Sequence, residues 1–265
     1  MKAIRVVFMI AVFCLMSAPI LVVAGVSVNE KKRLLFPPKG FTLDWYGELF
    51  TQSAWFNALQ NSVLIALFAS LLAVSVALPV ALYLWQRNSL FGRLLFSIGL
   101  APFMLPPVIT ALGLLIFWVS VGGSGHMAAT IVSHGVFLVT LPLVTISLGL
   151  ESINRQLVEA ARTMGADERT VFFTVIRPLI TPYIVSGFAF AFVLSLNEYI
   201  IAYMVAGFTV ETLPIKIFNS LRYGYTPVMA AVAVIFALVS VVVFGLVARY
   251  GDLPRLLGAA AKDAK

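Results

Sequence analysis

The sequence predicts an all-α membrane protein with six transmembrane helices, and three observations carry that reading. The chain is 61% hydrophobic and 11% charged. Its charges are unevenly spread, so that whole stretches of about 20 residues hold none, the length a helix needs to cross the hydrocarbon core. No segments of about 10 residues with alternating hydrophobicity occur, as an outer-membrane barrel would need, and helices and closed barrels are the only spanning structures. The eighteen Lys and Arg residues lie at the ends of apolar runs. Membrane topology therefore explains the net charge of +7 better than nucleic acid does, and no nucleic-acid partner is expected.

In chain order the apolar runs cover about 4–26, 58–84, 95–120, 127–150, 179–206 and 228–248, within a single transmembrane domain spanning residues 1–265. The first run opens with Lys2 and Arg5, as a signal peptide does, but its apolar stretch exceeds a typical h-region of roughly 7–15 residues. An uncleaved first helix is expected. Cys14 lies inside it without a partner cysteine, so no internal disulfide can form.

Six spans put both termini on one side. With that side cytoplasmic, the inner segments hold Lys2, Arg5, Arg87, Arg93, Arg155, Arg162, Arg169, Arg177, Arg249, Arg255, Lys262 and Lys265. The outer loops hold Lys31, Lys32, Arg33, Lys39, Lys216 and Arg222, so the charge bias favours cytoplasmic termini, with the first loop running against it. That loop, about 27–57, contains FTLDWYGELF, where Trp45, Tyr46 and Phe50 accompany Asp44 and Glu48 as an interfacial segment would. It and the loop at 207–227 are expected to be exposed, Asn29 and Thr212 included.

The third span opens APFMLPPVIT. Pro102, Pro106 and Pro107 remove backbone donors, so a kink is expected whose freed carbonyls neighbouring helices or a wet cavity must satisfy. Pro79 and Pro142 predict further kinks, and Gly99, Gly113 and Gly135 predict close helix approach. No internal repeat is evident.

Enzyme chemistry finds no constellation. His126 and His134 are the only histidines, without an acidic neighbour at metal-ligand spacing, and HExxH, GxSxG, GxxxxGK[ST] and a paired-carboxylate motif are all missing. No catalytic residue, metal or cofactor is predicted, and any ATP hydrolysis must reside in another chain. One acid stands apart. Glu198, in LSLNEYIIAYMV, falls inside the fifth expected span beside Asn197, with Ser195 and Tyr199 nearby. An ionisable group there costs about 2.5–3.5 kcal/mol on insertion scales, so it should face protein or water. It is either satisfied by a neighbouring helix or lines a pathway and meets a cation.

Residues 151–178 are a cytoplasmic loop of mixed charge, VEAARTMGADERTVFFTVIRP at its centre. Arg155, Glu159 and Arg162 share one helical face and can pair. The spacing predicts a helix ending near Met164, a left-handed stop at Gly165, a second helix capped by Asp167, and an end at Pro178 where the next span begins.

The succession Glu159, Ala160, Ala161, Gly165, Val175 and Pro178 resembles the EAA loop of ABC importer permeases with the MetI-like fold. The family commonly has Leu before that proline, where this chain has Arg177. WFNALQNSVLIA, PFMLPPVITALGLL and LNEYIIAYMVAGFTVETLPIKIF extend the resemblance along the chain, toward permeases of the spermidine/putrescine importer group. The resemblance implies a multi-pass inner-membrane subunit working in membrane lipid with a second, homologous permease, two cytoplasmic ATPase subunits and a periplasmic substrate-binding protein. It implies ATPase coupling through Glu159, Ala160, Ala161, Arg162, Gly165 and Asp167, and a polyamine or similar cationic or amino-acid-derived substrate. The rival reading, an ATP-independent channel or carrier, would need symmetry between halves and coupling-ion sites at broken helices. A membrane enzyme would need an acid, base or metal cluster.

Overall fold

The computed structural model describes residues 2–33 and 35–250, and the described chain is helical with irregular connections. In order it forms α1 (Lys2–Ser27), α2 (Asp44–Thr51), α3 (Ser53–Arg87), α4 (Leu90–Met104), α5 (Pro107–Ser120), α6 (Met127–Leu138) and α7 (Thr140–Glu151). There follow α8 (Arg155–Thr163), α9 (Glu168–Val171), a π-helical turn at Phe172–Ile176, α10 (Arg177–Asn197), α11 (Ile200–Ala206), α12 (Leu213–Tyr223) and α13 (Val228–Tyr250). Four stretches, Ile4–Ser27, Ser53–Arg87, Glu168–Asn197 and Val228–Arg249, are each long and apolar enough to cross a membrane, and the bent pairs α4–α5 and α6–α7 raise the number to six.

The expected third span, 95–120, is thus two helices meeting at 108°. Leu105 and Pro106 are extended, and Pro107 starts α5 where its missing N–H costs nothing. Thr110 satisfies a carbonyl at the break, its Oγ1 donating to Pro102 O at 3.2 Å. The fourth span bends by 42° at Val139, because Pro142 has no N–H for the Leu138 carbonyl and its ring crowds it. At Pro79, by contrast, α3 continues as one helix. The expected fifth span, 179–206, also differs: helix runs unbroken from Glu168 to Asn197 and stops there, and α11 restarts two residues later.

The chain divides into two compact units. One holds residues up to Gln60 together with Thr212–Ser240. Its core joins Leu49, Trp55, Ala58, Leu213, Val228 and Val232. Asn29 and Thr212, expected exposed, are instead 0% and 3% accessible. Asn29 organises its loop from inside: Nδ2 donates to Arg33 O at 3.2 Å, and Oδ1 accepts from Lys39 N at 3.1 Å. The aromatic segment is also tied inward, Trp45 Nε1 donating to Asn29 O at 2.9 Å, while Phe41 and Phe50 remain exposed.

The other unit holds Asn61–Glu211 and, among the described residues, 241–250. Its core is built on Leu138, Leu143, Ile146, Leu150, Ile180 and Ile201, with a row of Ala73, Ala77 and Ala81 on one face of α3. Here α10 lies along α7 and α11 lies on α5 and α6. Gly99 and Gly135 sit against Leu143 and Leu72 as close approach requires, whereas Gly113 faces open space. The tightest seam is between α7 and α10. A Cβ on Gly187 would lie 2.6 Å from Pro142 Cα and 2.5 Å from Thr145 Oγ1. Backbone cannot yield as a side chain can, so Gly187→Ala is expected to destabilise by about 1–3 kcal/mol. Thermal unfolding in detergent checks this, with Gly113→Ala as the neutral control. Equal midpoints for both would show that α7 and α10 separate freely.

Candidate functional site

Two places concentrate the polar side chains singled out by the sequence. The first is the turn between α8 and α9. Asn154 caps α8, its Oδ1 accepting from Gln156 N at 2.9 Å. The helix ends at Met164 in a Schellman motif: Gly165 N donates to Arg162 O at 2.9 Å and Ala166 N to Ala161 O at 3.1 Å. Gly165 has φ +90°, the left-handed region that glycine enters without a Cβ penalty. Asp167 then caps α9, Oδ1 accepting from Thr170 N at 2.9 Å.

The Asp167 carboxyl is held below its ordinary value by the Thr170 side chain and then by the Thr170 N–H. A depressed acid contributes above its unfolded value of about 4 and loses that contribution as pH falls through the lower folded value. The cap is therefore complete at neutral pH and opens only in acid.

Pairing within the face of Arg155, Glu159 and Arg162 does not occur. Arg155 turns away, its Nη2 3.3 Å from Trp85 O and its guanidinium stacked 5.4 Å from the Trp85 ring, which anchors the start of α8 to the end of α3. Arg162 crosses the glycine turn to Glu168, Nη2 to Oε1 at 2.8 Å. Both groups are exposed, so the pair contributes about 0–1 kcal/mol and serves to bracket the turn. Val158 is buried and Ala161 half-buried, whereas Ala160, Leu157 and Met164 face outward, Met164 at 87% exposure. Leu157, Ala160 and Met164 recur at i, i+3 and i+7, so the expected surface residue Ala160 belongs to an apolar stripe, completed by Leu157 and Met164, that points away from the protein's own core.

Pro178 does not end the helix as expected. Arg177 N donates to Phe172 O, one residue further back than in an α-helix, and this π turn accommodates the proline so that α9 runs into α10. Arg169 and Arg177 lie 6.0 Å and 5.8 Å from the Phe173 ring.

The second place is the joint between α10 and α11. Glu198 is not inside a helix: its backbone is extended, at the C-cap of α10. Its carboxylate caps α11, Oε1 accepting from Ile201 N at 2.9 Å and Oε2 from Ala202 N at 3.0 Å. Oε2 also lies 3.1 Å from His134 Nε2, and His134 Nδ1 is 2.8 Å from Ser195 Oγ. The histidine without an acidic neighbour in sequence has one in space, because α6 packs against both α10 and α11. Asn197 stays outside this cluster, its Nδ2 donating to Val193 O at 2.8 Å, and Tyr199 stacks on Tyr203 at 5.4 Å. A cavity of about 450 Å³ opens here, lined by Asn197, Glu198 and Tyr199 with Phe103, Phe137 and Leu194 among its apolar walls.

Spanning helices broken at prolines, a polar joint beside a cavity and a capped helix–turn–helix loop running into a span together define a transport subunit. The family of binding-protein-dependent transport system inner membrane components matches residues 73–252. The putrescine transport system permease protein PotI of Escherichia coli is 34% identical over 257 residues, 93% of this chain and 89% of that protein. The spermidine/putrescine transport system permease protein PotC of Haemophilus influenzae is 32% identical over 237 residues, 88% and 90% of the two. Among solved structures, a bacterial ABC transporter involved in the import of the acidic polysaccharide alginate aligns with TM-score 0.70 at 16% identity, over 94% of this chain and 95% of that one. The MetNI methionine ABC transporter aligns with TM-score 0.63 at 20% identity, over 73% and 93%. At such identities the likeness is one of fold. The chain belongs to the family of binding-protein-dependent transport system inner membrane components. An ATP-independent channel or carrier finds no support among these relatives.

Glu198→Ala removes both acceptors from the start of α11. Amide hydrogen exchange at Ile201 and Ala202 is expected to accelerate, with Glu198→Gln falling between Ala and wild type because its amide oxygen keeps one acceptor. Unchanged protection in Glu198→Ala would mean that α11 is held without this cap.

Proposed function

We propose that this chain forms, with a second and homologous permease, the membrane pathway of an importer for a polyamine or a similar small cation. Its residues 1–265 act as one transmembrane domain with both termini in the cytoplasm. A periplasmic binding protein delivers the substrate, and two cytoplasmic ATPase subunits supply the energy, so this chain itself is no enzyme. The names of the relatives, which are putrescine and spermidine permeases, support the substrate class. So does a carboxylate at a cavity, because Glu198 can receive an ammonium group while the apolar walls receive methylenes.

The observation that carries the coupling role is the continuity of the loop with the membrane. The exposed stripe of Leu157, Ala160 and Met164 fits a cleft on an ATPase, with Glu159 and Arg162 at its rim. Motion of α8 then passes through the fixed turn at Gly165 and the cap at Asp167 into the helix from Glu168 to Asn197. Nucleotide can shift the balance between inward-open and outward-open states only by its differential affinity for them, which a stiff connection transmits and a loose one does not.

Two variants test this. Gly165→Val meets open space, so its effect is conformational strain at positive φ of about 1–2 kcal/mol. Ala160→Glu instead puts bulk and charge on the docking stripe. Both are expected to insert in the membrane yet lose most uptake, with Ala160→Glu also releasing the co-purifying ATPase. Full uptake with normal ATPase retention in both would end the coupling assignment. For the pathway, Glu198→Gln is expected to assemble and retain ATPase while uptake of putrescine drops; wild-type uptake would remove Glu198 from the pathway.

A further inference from the structure

His134 on α6 is 1% exposed, yet both of its ring nitrogens meet polar groups of the joint between α10 and α11. Nδ1 is 2.8 Å from the Ser195 hydroxyl, and Nε2 lies 3.1 Å from Glu198 Oε2 but is poorly aimed at it and makes no hydrogen bond. The carboxylate accepts two N–H groups, from Ile201 and Ala202, and has the buried Nε2 in contact beside them. Among the described residues no Lys or Arg makes an ion pair with it. Backbone N–H groups such as these stabilise a carboxylate without cancelling its charge, so the site still attracts a cation.

The three nitrogens around the carboxylate are not equivalent. Ile201 N and Ala202 N belong to the first turn of α11 and cannot leave unless that helix moves. The imidazole can leave by rotating its side chain. Glu198 retains 9% side-chain exposure and lines the cavity of about 450 Å³, so a ligand in that cavity can reach it.

We infer that His134 is a positioning residue that holds the cation's place on Glu198 while the pathway is empty. An entering ammonium group takes the place of Nε2 beside Oε2, the imidazole swings aside about its side-chain bonds, and it returns when the cation departs. Competition for one oxygen keeps the affinity low enough for release, which any conducting site requires. This inference rests on the reading of Glu198 as a pathway carboxylate.

The test is equilibrium binding of radiolabelled putrescine to the complete importer in detergent, without its binding protein. His134→Phe keeps an aromatic ring and removes the competing nitrogen. It is expected to bind putrescine about tenfold more tightly than wild type, the scale of one hydrogen bond to a charged group. Ser195→Ala removes only the hydroxyl that fixes Nδ1 and is expected to move affinity the same way by less. Equal or weaker binding in an assembled His134→Phe importer overturns the inference. Should that variant fail to assemble, Ser195→Ala decides, and unchanged or weaker affinity there overturns it. Loss of binding in Glu198→Gln, with His134→Phe unchanged, leaves the pathway carboxylate standing and removes only the role of His134. Wild-type affinity in Glu198→Gln, or no binding by any variant or the wild type, overturns both.

Discussion

A lipid interior offers no hydrogen-bond partner, so wherever this chain interrupts a helix it must bring its own donors and acceptors to the break. The interruptions are met one by one. At Pro106 the Thr110 hydroxyl covers the Pro102 carbonyl. At Glu198 a carboxylate covers the N–H groups of Ile201 and Ala202, with His134 beside it. At Pro178 no group is brought in, because a π turn moves the backbone bond instead.

One of these segments is long and uninterrupted. From Glu168 to Asn197 thirty residues form continuous helix, roughly 45 Å by the rise of an α-helix. One end is the glycine turn with its Arg162–Glu168 bracket, and the other is the joint where Glu198 meets His134. Between them, Gly187 brings the rod against α7 so closely that one Cβ would strike backbone. On the proposed reading, a push on α8 reaches the Glu198 carboxylate along a single stiff element, and Arg155 stacked on Trp85 ties the same push to α3. A flexible loop or an open seam would dissipate it.

The two polar sites thus differ in kind. The turn at Gly165 is exposed, its charges are screened by water, and its precision comes from backbone geometry. The joint at Glu198 is mostly enclosed, and its precision comes from the cap on Ile201 and Ala202 with the buried His134 beside it. The first suits contact with a soluble protein, the second a small ion stripped of water.

By itself the sequence determined what depends on neighbours along the chain. Charge-free runs located the spanning segments, and the order Gly165, Asp167 fixed a left-handed stop and a capped helix after it, since capping and positive φ are local matters. Only the tertiary structure decided what depends on residues far apart. It gave Arg155 to Trp85 and Arg162 to Glu168 in place of the intrahelical pairing that spacing allows. It buried Asn29 and Thr212 in loops whose composition reads as exposed, and it bent the third span by 108° at its prolines while leaving α3 continuous through Pro79. Above all it brought His134 to Glu198 across 64 positions, taking that acid out of a helix and into a joint between two. Inside a uniformly apolar segment every face reads alike, so periodicity cannot say which neighbour a lone polar side chain meets. Helix packing alone selects the partner.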